Sequence, residues 1–522
     1  MRKEVIQIGK ESEAIQKIYE DMYAHTDGTD GINMLKFAGS WGYRNSKDFL
    51  EQELDYNSTV VMLAKKCNVR FYDGNFYYYD GKIYSAVSAD TIEAAFSQLL
   101  EHYRIAVMIN NSTVFRKKFL QTVKFYNRLY PRHDLLGFQN GVLDILNDKW
   151  YEFSPELHVT KCHEYKYDPK ARCPKWQAFL KEILPSKNSR TILQMFMGLG
   201  LMERGTVYDT LTCAGTAKVE LCLILIGRGS NGKSVIYQTM MGIYGGDKIS
   251  SMDYDELTAY GDEGMRARRQ LRGAIFNWSS DSNPNTFGSK RTGVFKRIVS
   301  GEPVSDREIG GNVQENCQLP YLIFNLNDLP YPDDESLGFV RRLQFITFDV
   351  IIPRAKQNKY LAFELTKEYP GIFNWMKRGM LELKRRKFNF PSTSEDRKMV
   401  VKTQLRTNPV EAFLTAYNIR PIRADETEDG YWASAPELIE SIHAFCDDND
   451  VSDHPSRQKF GVTMSKHGFK KGRTAEGCTY NIFGCNKNGL KHNFIIDNES
   501  FETAYSHNED KPEKDTELTE ED

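Results

Sequence analysis

Apolar runs and helical periodicity divide the chain into segments that predict strands and helices. The run from Leu221 to Ile226 predicts a buried strand, and apolar side chains then recur at helical spacing over residues 234–241. Two later apolar runs, within residues 271–283 and 319–330, predict further strands that end in polar residues. This alternation of strands and helices predicts an α/β domain over residues 206–395.

The region before this domain shows a different pattern. Aromatic and polar residues alternate from Asn68 to Ala86, and Asp73-Gly74 and Asp80-Gly81 predict two hairpin turns, so we expect an α+β module over residues 1–130. These aromatic side chains either pack a sheet or stack on nucleic-acid bases. Within residues 131–205, Asn140-Gly141 predicts a turn, residues 144–150 a hairpin and residues 174–184 an amphipathic helix.

Residues 410–493 predict two amphipathic helices, the second entered through Ser456, and then a hairpin with a charged tip. This order is typical of a winged-helix domain, in which a helix and a wing contact DNA. An interaction module with a solvated basic face is the alternative. The candidate DNA-binding residues are Arg457, Lys459 and Lys466 on the second helix and Lys470, Lys471 and Arg473 on the hairpin.

Composition and charge exclude some classes of protein. Hydrophobic residues make up 40% of the chain and the net charge is −2, which is typical of an ordinary soluble protein without global basicity. Residues 494–522 predict a disordered acidic tail, since Glu509–Asp522 holds eight acids against two lysines. The nine cysteines form no C-x-x-C pair, and no export signal or membrane span is expected, so we predict a reducing compartment.

The candidate chemistry lies between the Leu221–Ile226 run and the helix. Residues 227–234 match G-x-x-x-x-G-K-[ST], the pattern of a phosphate-binding loop, between a strand and a helix. The glycines let successive N–H groups turn toward an anion at the positive end of the helix. Lys233 would contact the β- and γ-phosphates of ATP, and Ser234 would bind Mg²⁺. The predicted nucleotide-binding residues are Gly227, Arg228, Gly229, Ser230, Asn231, Gly232, Lys233 and Ser234.

Short motifs before and within this loop resemble those of one family. The sequences NGVLD, SPE and YDPKARCP, a helix rich in leucine and phenylalanine, and GRGSNGKS are similar to the corresponding part of poxvirus-type and phage- or plasmid-type primase-helicases. These proteins are superfamily 3 helicases within the AAA+ ATPases. The resemblance implies an AAA+ P-loop ATPase core between the α+β N-terminal module and the C-terminal winged-helix-like domain.

The resemblance assigns roles to residues that follow the loop. Asp281, at the end of a strand, would lie near Mg²⁺ and the attacking water, although many related ATPases have two acids here and this chain has Ser279 and Ser280 before a single one. Residues 290–317 are similar to a hairpin that lines the ring pore, where Lys296 and Arg307 would contact DNA phosphates. A solvated basic helix followed by a turn is the alternative.

Two further motifs complete the resemblance. Asn327 is similar to the asparagine that contacts the γ-phosphate or orients water, with Asn325 as its competitor. Arg341 and Arg342 are similar to a pair of which one arginine reaches the nucleotide of the neighbouring subunit. Catalysis would therefore depend on Lys233, Asp281, Asn327 and one of these two arginines.

These motifs together predict an ATP-dependent replicative DNA helicase of a phage, plasmid or mobile element, with ATP and Mg²⁺ as cofactors. By resemblance it would be a homo-oligomeric ring, a hexamer, that moves 3′ to 5′ on single-stranded DNA in its pore. We expect it in the cytoplasm of a bacterial host or virus-infected cell, without a membrane partner. A separate primase or polymerase and double-stranded origin DNA are further candidate partners.

Three alternatives remain open at this point. The first is an origin-binding initiator or assembly platform that uses ATP as a switch. The second is a primase-helicase whose N-terminal module is active, although residues 1–130 show no pair of metal carboxylates with a histidine and no cysteine zinc site. The third is a P-loop NTPase that acts in host–virus conflict.

Overall fold

The chain of 522 residues divides into two compact units in a computed structural model, Met1–Pro169 and Lys170–Asp522. The predicted segment 131–205 is therefore shared between the units. The described residues are 2–26, 60–72, 74–102, 109–132, 134–202, 204, 219–280, 282–283, 287, 291–308, 310–317, 319–328, 330, 337–422, 430–449, 451–452, 454–475 and 477–483. The predicted acidic tail and Asp281 lie outside them.

The first unit contains two antiparallel sheets and several helices. The sheet strands are β1 (Val69–Tyr72), β2 (Asn75–Tyr79), β3 (Tyr84–Val87), β4 (Leu135–Phe138), β5 (Gly141–Asp144) and β6 (Lys149–Tyr151), in the orders β1-β2-β3 and β4-β5-β6. The helices are α1 (Arg2–Ala24), α2 (Ala89–His102) and α3 (Ile109–Tyr126), and residues 60–66 are also helical. A short 3₁₀ helix spans Pro155–Leu157.

The first sheet forms because aromatic and β-branched residues pair across tight turns. At the β2–β3 turn, the carboxylate of Asp80 accepts hydrogen bonds from the N–H groups of Lys82 and Ile83, both at 2.9 Å. The helices bury their apolar faces against this sheet, with Phe96 and Phe119 in the same core as Val69. The predicted α+β character of this region is therefore present.

The second unit is built on a five-stranded parallel sheet. Its strands are β7 (Cys222–Ile226), β8 (Ile249–Ser250), β9 (Phe276–Ser279), β12 (Tyr321–Leu326) and β13 (Leu343–Thr347), in the order β13-β7-β12-β9-β8. All residues of β7 are buried, which explains why its sequence is a continuous apolar run. The fold is thus mixed α/β with a parallel sheet.

Helices and smaller sheets surround this sheet. The helices are α4 (Pro174–Ile183), α5 (Lys187–Leu199), α6 (Lys233–Tyr244), α7 (Tyr254–Thr258), α8 (Gly261–Arg268), α9 (Thr292–Val299), α10 (Leu337–Val340), α11 (Leu361–Leu365), α12 (Tyr369–Arg385), α13 (Ser394–Thr407), α14 (Pro409–Ala416), α15 (Ala435–Asp448) and α16 (Arg457–Lys466). Short 3₁₀ helices span Gly246–Lys248, Arg269–Leu271, Arg354–Lys356 and Thr366–Glu368. In the described ranges, no helix combines the length and apolarity needed to span a bilayer.

Two antiparallel elements extend the second unit. Strands β10 (Val304–Asp306) and β11 (Gln314–Asn316) form a hairpin, and β14 (Tyr431–Ser434), β15 (Lys471–Thr474) and β16 (Gly477–Ile482) form a sheet in the order β14-β16-β15. The side chains of Ser434 and Ser456 cap α15 and α16 by accepting hydrogen bonds from the N–H groups of Glu437 and Lys459. The predicted helix, helix and hairpin are present here, preceded by strand β14.

Candidate functional site

The glycine-rich loop lies at the carboxyl edge of the parallel sheet, between the end of β7 and the start of α6. From β7 the chain continues to β8 at one edge of the sheet, whereas from β12 it continues to β13 on the other side of β7. Open α/β sheets bind their ligands at the carboxyl edge where such connections diverge. The position of the loop therefore favours a ligand site.

The loop backbone adopts the conformation that its glycines permit. Gly229, Ser230 and Gly232 have φ values of 102°, 52° and 85°, a region that L side chains rarely occupy. Gly232 also packs against α4, because a Cβ atom there would lie 2.9 Å from the ring of Phe179. Arg228, Gly229 and Ser230 are exposed, so the outer part of the loop is open to an incoming ligand.

Lys233 is buried at the centre of the loop. Its side chain is 8% exposed, and Nζ donates a hydrogen bond to the carbonyl oxygen of Gly227 at 2.5 Å. Nζ also lies 5.8 Å from the ring centroid of Phe348. Burial lowers the pKa of Lys233, because the charged form has lost water. An anion at this point would restore the lost stabilisation of the ammonium group.

Asn231 supplies a second donor that faces the same space. The residue is 3% exposed, and its Nδ2 has no hydrogen-bond partner among the described residues. A Cβ atom on Gly227 would lie 2.3 Å from this Nδ2 and 3.0 Å from Nζ of Lys233. The same Cβ atom would lie 2.9 Å from the carbonyl oxygen of Phe348. The absence of a side chain at Gly227 thus lets the two donors approach the start of the loop closely, and a phosphate that reaches the loop is the kind of ligand that such donors bind.

The predicted metal ligands are described only in part. Ser234 is exposed in the first turn of α6, where its hydroxyl is accessible to a cation that accompanies the phosphates. Its predicted partner, Asp281, lies outside the described residues. Near the end of β9, Ser279 and Ser282 join their hydroxyl groups at 2.7 Å. Ser234 thus fits the proposed Mg²⁺ role.

The segment after β13 also contacts the loop, which the sequence pattern did not predict. Phe348 N–H donates to Ile226 O at 2.8 Å, and Ile352 N–H donates to Ser230 O at 2.9 Å. These backbone contacts hold the outer part of the loop in place. Because backbone groups make them, no residue type in the sequence indicates them.

The structure separates the two candidate asparagines, since Asn325 lies within β12 and Asn327 follows it. Asn325 accepts a hydrogen bond from Trp278 Nε1 at 3.1 Å and donates from Nδ2 to Ser280 O at 3.2 Å. Its amide therefore joins β12 to β9. Asn327 is exposed and directly follows Leu326, whose carbonyl accepts a hydrogen bond from Gly227 N–H at 3.0 Å. Asn327 is consequently the asparagine beside the loop.

Arg341 and Arg342 lie at the opposite, amino edge of the sheet, immediately before β13. Cys222 N–H donates to Arg342 O at 2.7 Å, whereas the loop begins after Ile226, roughly 15 Å further along β7. Neither side chain can span that distance to the loop of the same chain.

The two arginines differ in their surroundings. The Arg342 side chain is 12% exposed, and its guanidinium contacts Glu220 at 3.0 Å, the hydroxyl of Ser300 and the carbonyl of Gly338. The Arg341 side chain is 68% exposed, and its guanidinium lies 4.0 Å from Glu220. Arg341 is therefore the more accessible of the pair to a neighbouring molecule.

The predicted pore element is a hairpin, but the two predicted DNA contacts do not share it. Lys296 lies in the last turn of α9 and is half-buried, outside the β10–β11 hairpin. Arg307 begins the hairpin loop, and its guanidinium pairs with the carboxylate of Asp262 on α8 at 2.9 Å. The residue next to it is Glu308, so this end of the hairpin carries both charges.

A buried ion pair that the sequence pattern did not indicate anchors the hairpin. The carboxylate of Asp306 is fully buried and accepts two hydrogen bonds from Arg272, at 2.6 and 3.1 Å. Arg269 lies 3.6 Å from the same carboxylate. A buried carboxylate needs such partners, because an unpaired charge in the interior is costly. This pairing ties β10 to the segment that leads into β9.

The predicted C-terminal DNA contacts are exposed cations. Arg457, Lys459 and Lys466 on α16 are exposed, as are Lys470, Lys471 and Arg473 near or on β15. Phe460 and Met464 of α16 pack into the core of this domain. The helix and the hairpin thus present cations to solvent within one small domain.

Comparisons with known proteins found a family model and a viral relative that each match part of the chain. Residues 60–185 match the family model described as D5 N terminal like. The chain is 25% identical over 237 residues to L207/L206 of Acanthamoeba polyphaga mimivirus, a protein named for an inferred helicase activity. The alignment covers 43% of this chain and 22% of the mimivirus protein, so the chain spans only a small part of that relative. These findings support a relation to viral primase-helicases.

Solved structures show a weaker likeness. One apo structure of the NrS-1 C-terminal region aligns with a TM-score of 0.39 and 8% identity, covering 79% of this chain and 95% of that one. Another, the A form, aligns with a TM-score of 0.36 and 9% identity, covering 67% and 95%.

Proposed function

We propose that this protein is a ring-forming AAA+ ATPase of superfamily 3 that moves along single-stranded DNA as a replicative helicase of a phage, plasmid or mobile element. The observation that carries the proposal is the glycine-rich loop at the carboxyl edge of a parallel sheet, in which buried Lys233 and the unpartnered Nδ2 of Asn231 lie close to Gly227. ATP is the substrate that such a loop and the motifs after it favour.

Each predicted nucleotide-site residue has a defined role in this proposal. The N–H groups of the loop hold the phosphates, and Lys233 exchanges its bond with Gly227 O for phosphate oxygens. Mg²⁺ would be held by Ser234 and Asp281 and would neutralise charge that develops on the phosphates. Asn327, beside the loop, orients the attacking water.

The edge position of the arginines supports a ring. Arg341 is exposed at the sheet edge opposite the loop, where it can serve a nucleotide only on another subunit. A guanidinium at the γ-phosphate contributes ~10³ to 10⁵ in rate in related transfers. Turnover should therefore depend on assembly, and ATPase activity per subunit should rise with protein concentration.

Unwinding of a forked duplex tests the proposal. The purified chain should hydrolyse ATP and displace the labelled strand, and Lys233→Ala should abolish both activities with an unchanged circular dichroism spectrum. A protein that assembles and hydrolyses ATP yet displaces no strand would exclude a helicase.

The exposed cations of α16 and of the hairpin that follows it favour one second candidate, an origin-binding initiator that uses ATP as a switch. In that function the C-terminal unit is a winged-helix-like domain that holds double-stranded DNA. Substitution of Arg457 and Lys459 by alanine would then weaken duplex binding, and ATP hydrolysis would change affinity for the duplex without strand displacement.

A further inference from the structure

An exposed aromatic cluster lies in the first unit, immediately after the buried part of α3. Phe125, Tyr126 and Tyr130 are 75%, 65% and 69% exposed. The other large hydrophobic side chains exposed in the described part of this unit, Tyr23, Met62 and Trp150, are only 38–39% exposed. Three aromatic rings within six residues are thus exposed to water. Exposed apolar groups of this size often mark a binding site.

The backbone holds the ring of Tyr130 outward. Phe71 N–H donates to Asn127 O at 2.8 Å and Leu129 N–H donates to Phe71 O at 3.1 Å, so residues 127–129 run beside β1 as an extended segment. Asn127 and Leu129 are buried, with Asn127 Nδ2 donating to Ala64 O at 2.5 Å. Because side chains alternate along an extended chain, Arg128 and Tyr130 must face solvent.

Cations are interleaved with the rings. Lys65 places Nζ 4.3 Å from the ring centroid of Tyr126, while Lys124 and Arg128 lie 5.5 and 5.8 Å from that of Phe71. In the described part of the chain, none of these three cations forms an ion pair. Between Glu101 and Asp134 the sequence holds seven lysines and arginines and no acid. The local charge is therefore strongly positive although the whole chain is nearly neutral.

We propose that Phe125, Tyr126 and Tyr130, with Lys65, Lys124 and Arg128, form a stacking surface that binds single-stranded nucleic acid. Unpaired bases stack on exposed rings, and cations beside the rings neutralise the phosphates that link those bases. A protein-docking surface would have a core depleted of lysine, whereas here Lys65 lies over the ring of Tyr126, and Lys124 and Arg128 alternate with the exposed aromatic residues along the chain. The surface belongs to the first unit and does not depend on ATP hydrolysis.

Fluorescence anisotropy with the full-length chain tests the surface. The probes are labelled oligo(dT) and oligo(U) of about 20 nucleotides, without ATP and over a range of salt concentrations. The variant F125L/Y126L/Y130L keeps apolar side chains but removes every ring, and Y126F/Y130F keeps the rings as a matched control. We expect the leucine variant to weaken binding at least ~10-fold and the phenylalanine variant to bind as wild type does.

Weaker binding of either probe, or of both, to the leucine variant supports the surface. The probe whose binding is weakened shows whether the surface binds DNA, RNA or both. Unchanged binding of both probes to the leucine variant would overturn it, and so would an equal loss in the phenylalanine control. Photocrosslinking of iodouracil-containing probes to the wild type is a second measurement, in which the crosslinked peptide should contain residues 125–130. ATP hydrolysis without DNA should be unchanged in the leucine variant, so a failure here is distinguishable from a failure of the ATPase proposal.

Discussion

The ammonium group of Lys233 donates a hydrogen bond to the carbonyl oxygen of Gly227 at 2.5 Å, so the lysine of the loop is held by the first residue of the same loop. The lysine is buried without a carboxylate partner in the described residues, and its pKa is lowered by that burial. The loop is consequently arranged for an anion before one arrives.

Gly227→Ala should weaken ATP binding by at least ~10-fold, because the added Cβ would lie 2.3 Å from Asn231 Nδ2 and 3.0 Å from Lys233 Nζ. Calorimetric titration with a non-hydrolysable ATP analogue measures this loss. Gly461→Ala is the matched control, since nothing lies within 4 Å of its Cβ position. Equal affinities for the two variants would mean that ATP binding does not depend on the positions of these two donors.

Asn327→Ala should slow ATP turnover about 10²-fold at an unchanged melting temperature, because Asn327 is exposed beside the loop. Asn325→Ala should instead destabilise the second unit by roughly 1–3 kcal/mol, since Trp278 on β9 and the carbonyl of Ser280 would lose their hydrogen bonds. Steady-state kinetics and thermal denaturation on both variants separate the two roles. Slower turnover in Asn325→Ala, with lower stability in Asn327→Ala, would instead assign the catalytic role to Asn325.

Arg341→Ala should reduce turnover ~10³-fold or more and leave nucleotide affinity and stability nearly unchanged, because its side chain is 68% exposed. Arg342→Ala should cost about 2–3 kcal/mol of stability, since Glu220, Ser300 and Gly338 lose a charged partner. Mixing Arg341→Ala subunits with Lys233→Ala subunits should restore some hydrolysis at shared sites. Full activity of Arg341→Ala would exclude it from the role in trans.

Asp262→Asn should strengthen single-stranded DNA binding and steepen its salt dependence, because Arg307 would lose the carboxylate at 2.9 Å and become available to a phosphate. A gain of up to ~0.7 in the salt slope is expected for one additional phosphate contact. Arg307→Ala should flatten the slope by the same amount. The double variant, Asp262→Asn with Arg307→Ala, should have the same slope as Arg307→Ala alone. A gain that persists without Arg307 would count against this pairing as the cause.

The stability of the second unit should depend on pH through Asp396. Its carboxylate accepts hydrogen bonds from Phe345 N–H at 2.8 Å and Gln344 Nε2 at 2.5 Å, yet burial raises its pKa from 3.8 to about 6. Between these pH values the folded state binds a proton that the unfolded state lacks. Stability from this group is therefore highest below pH ~4 and falls by about 3 kcal/mol as pH rises through ~6.

Urea denaturation of wild type and Asp396→Asn from pH ~4 to ~7 measures this contribution. The stability difference, wild type minus variant, should decrease as pH rises. Asp255→Asn, at an exposed carboxylate on α7, is the control and should show no such trend. A difference that is independent of pH would show that Asp396 does not titrate in this range.

Local sequence predicted the elements whose residues carry their own conformational preference. The loop over residues 227–234 is present between β7 and α6 because glycines permit positive φ values and the following residues favour a helix. The capping residue Ser456, predicted from the sequence, precedes a helix for the same local reason. The hairpin β10–β11 is also present, but its charge was not predictable, because Asp262 and Arg272 come from distant parts of the chain.

The sequence by itself determined the phosphate-type loop, the apolar strands and the candidate asparagines and arginines, since these depend on residue type and spacing. Only the tertiary structure decided which of the two asparagines, and which of the two arginines, is free of structural contacts that would keep it from a ligand. Asn325 joins two strands whereas Asn327 lies beside the loop, and Arg342 is held by Glu220 whereas Arg341 faces solvent. The physical reason is that availability depends on neighbours brought together by sheet pairing, and neighbouring residues of the same type can meet entirely different partners.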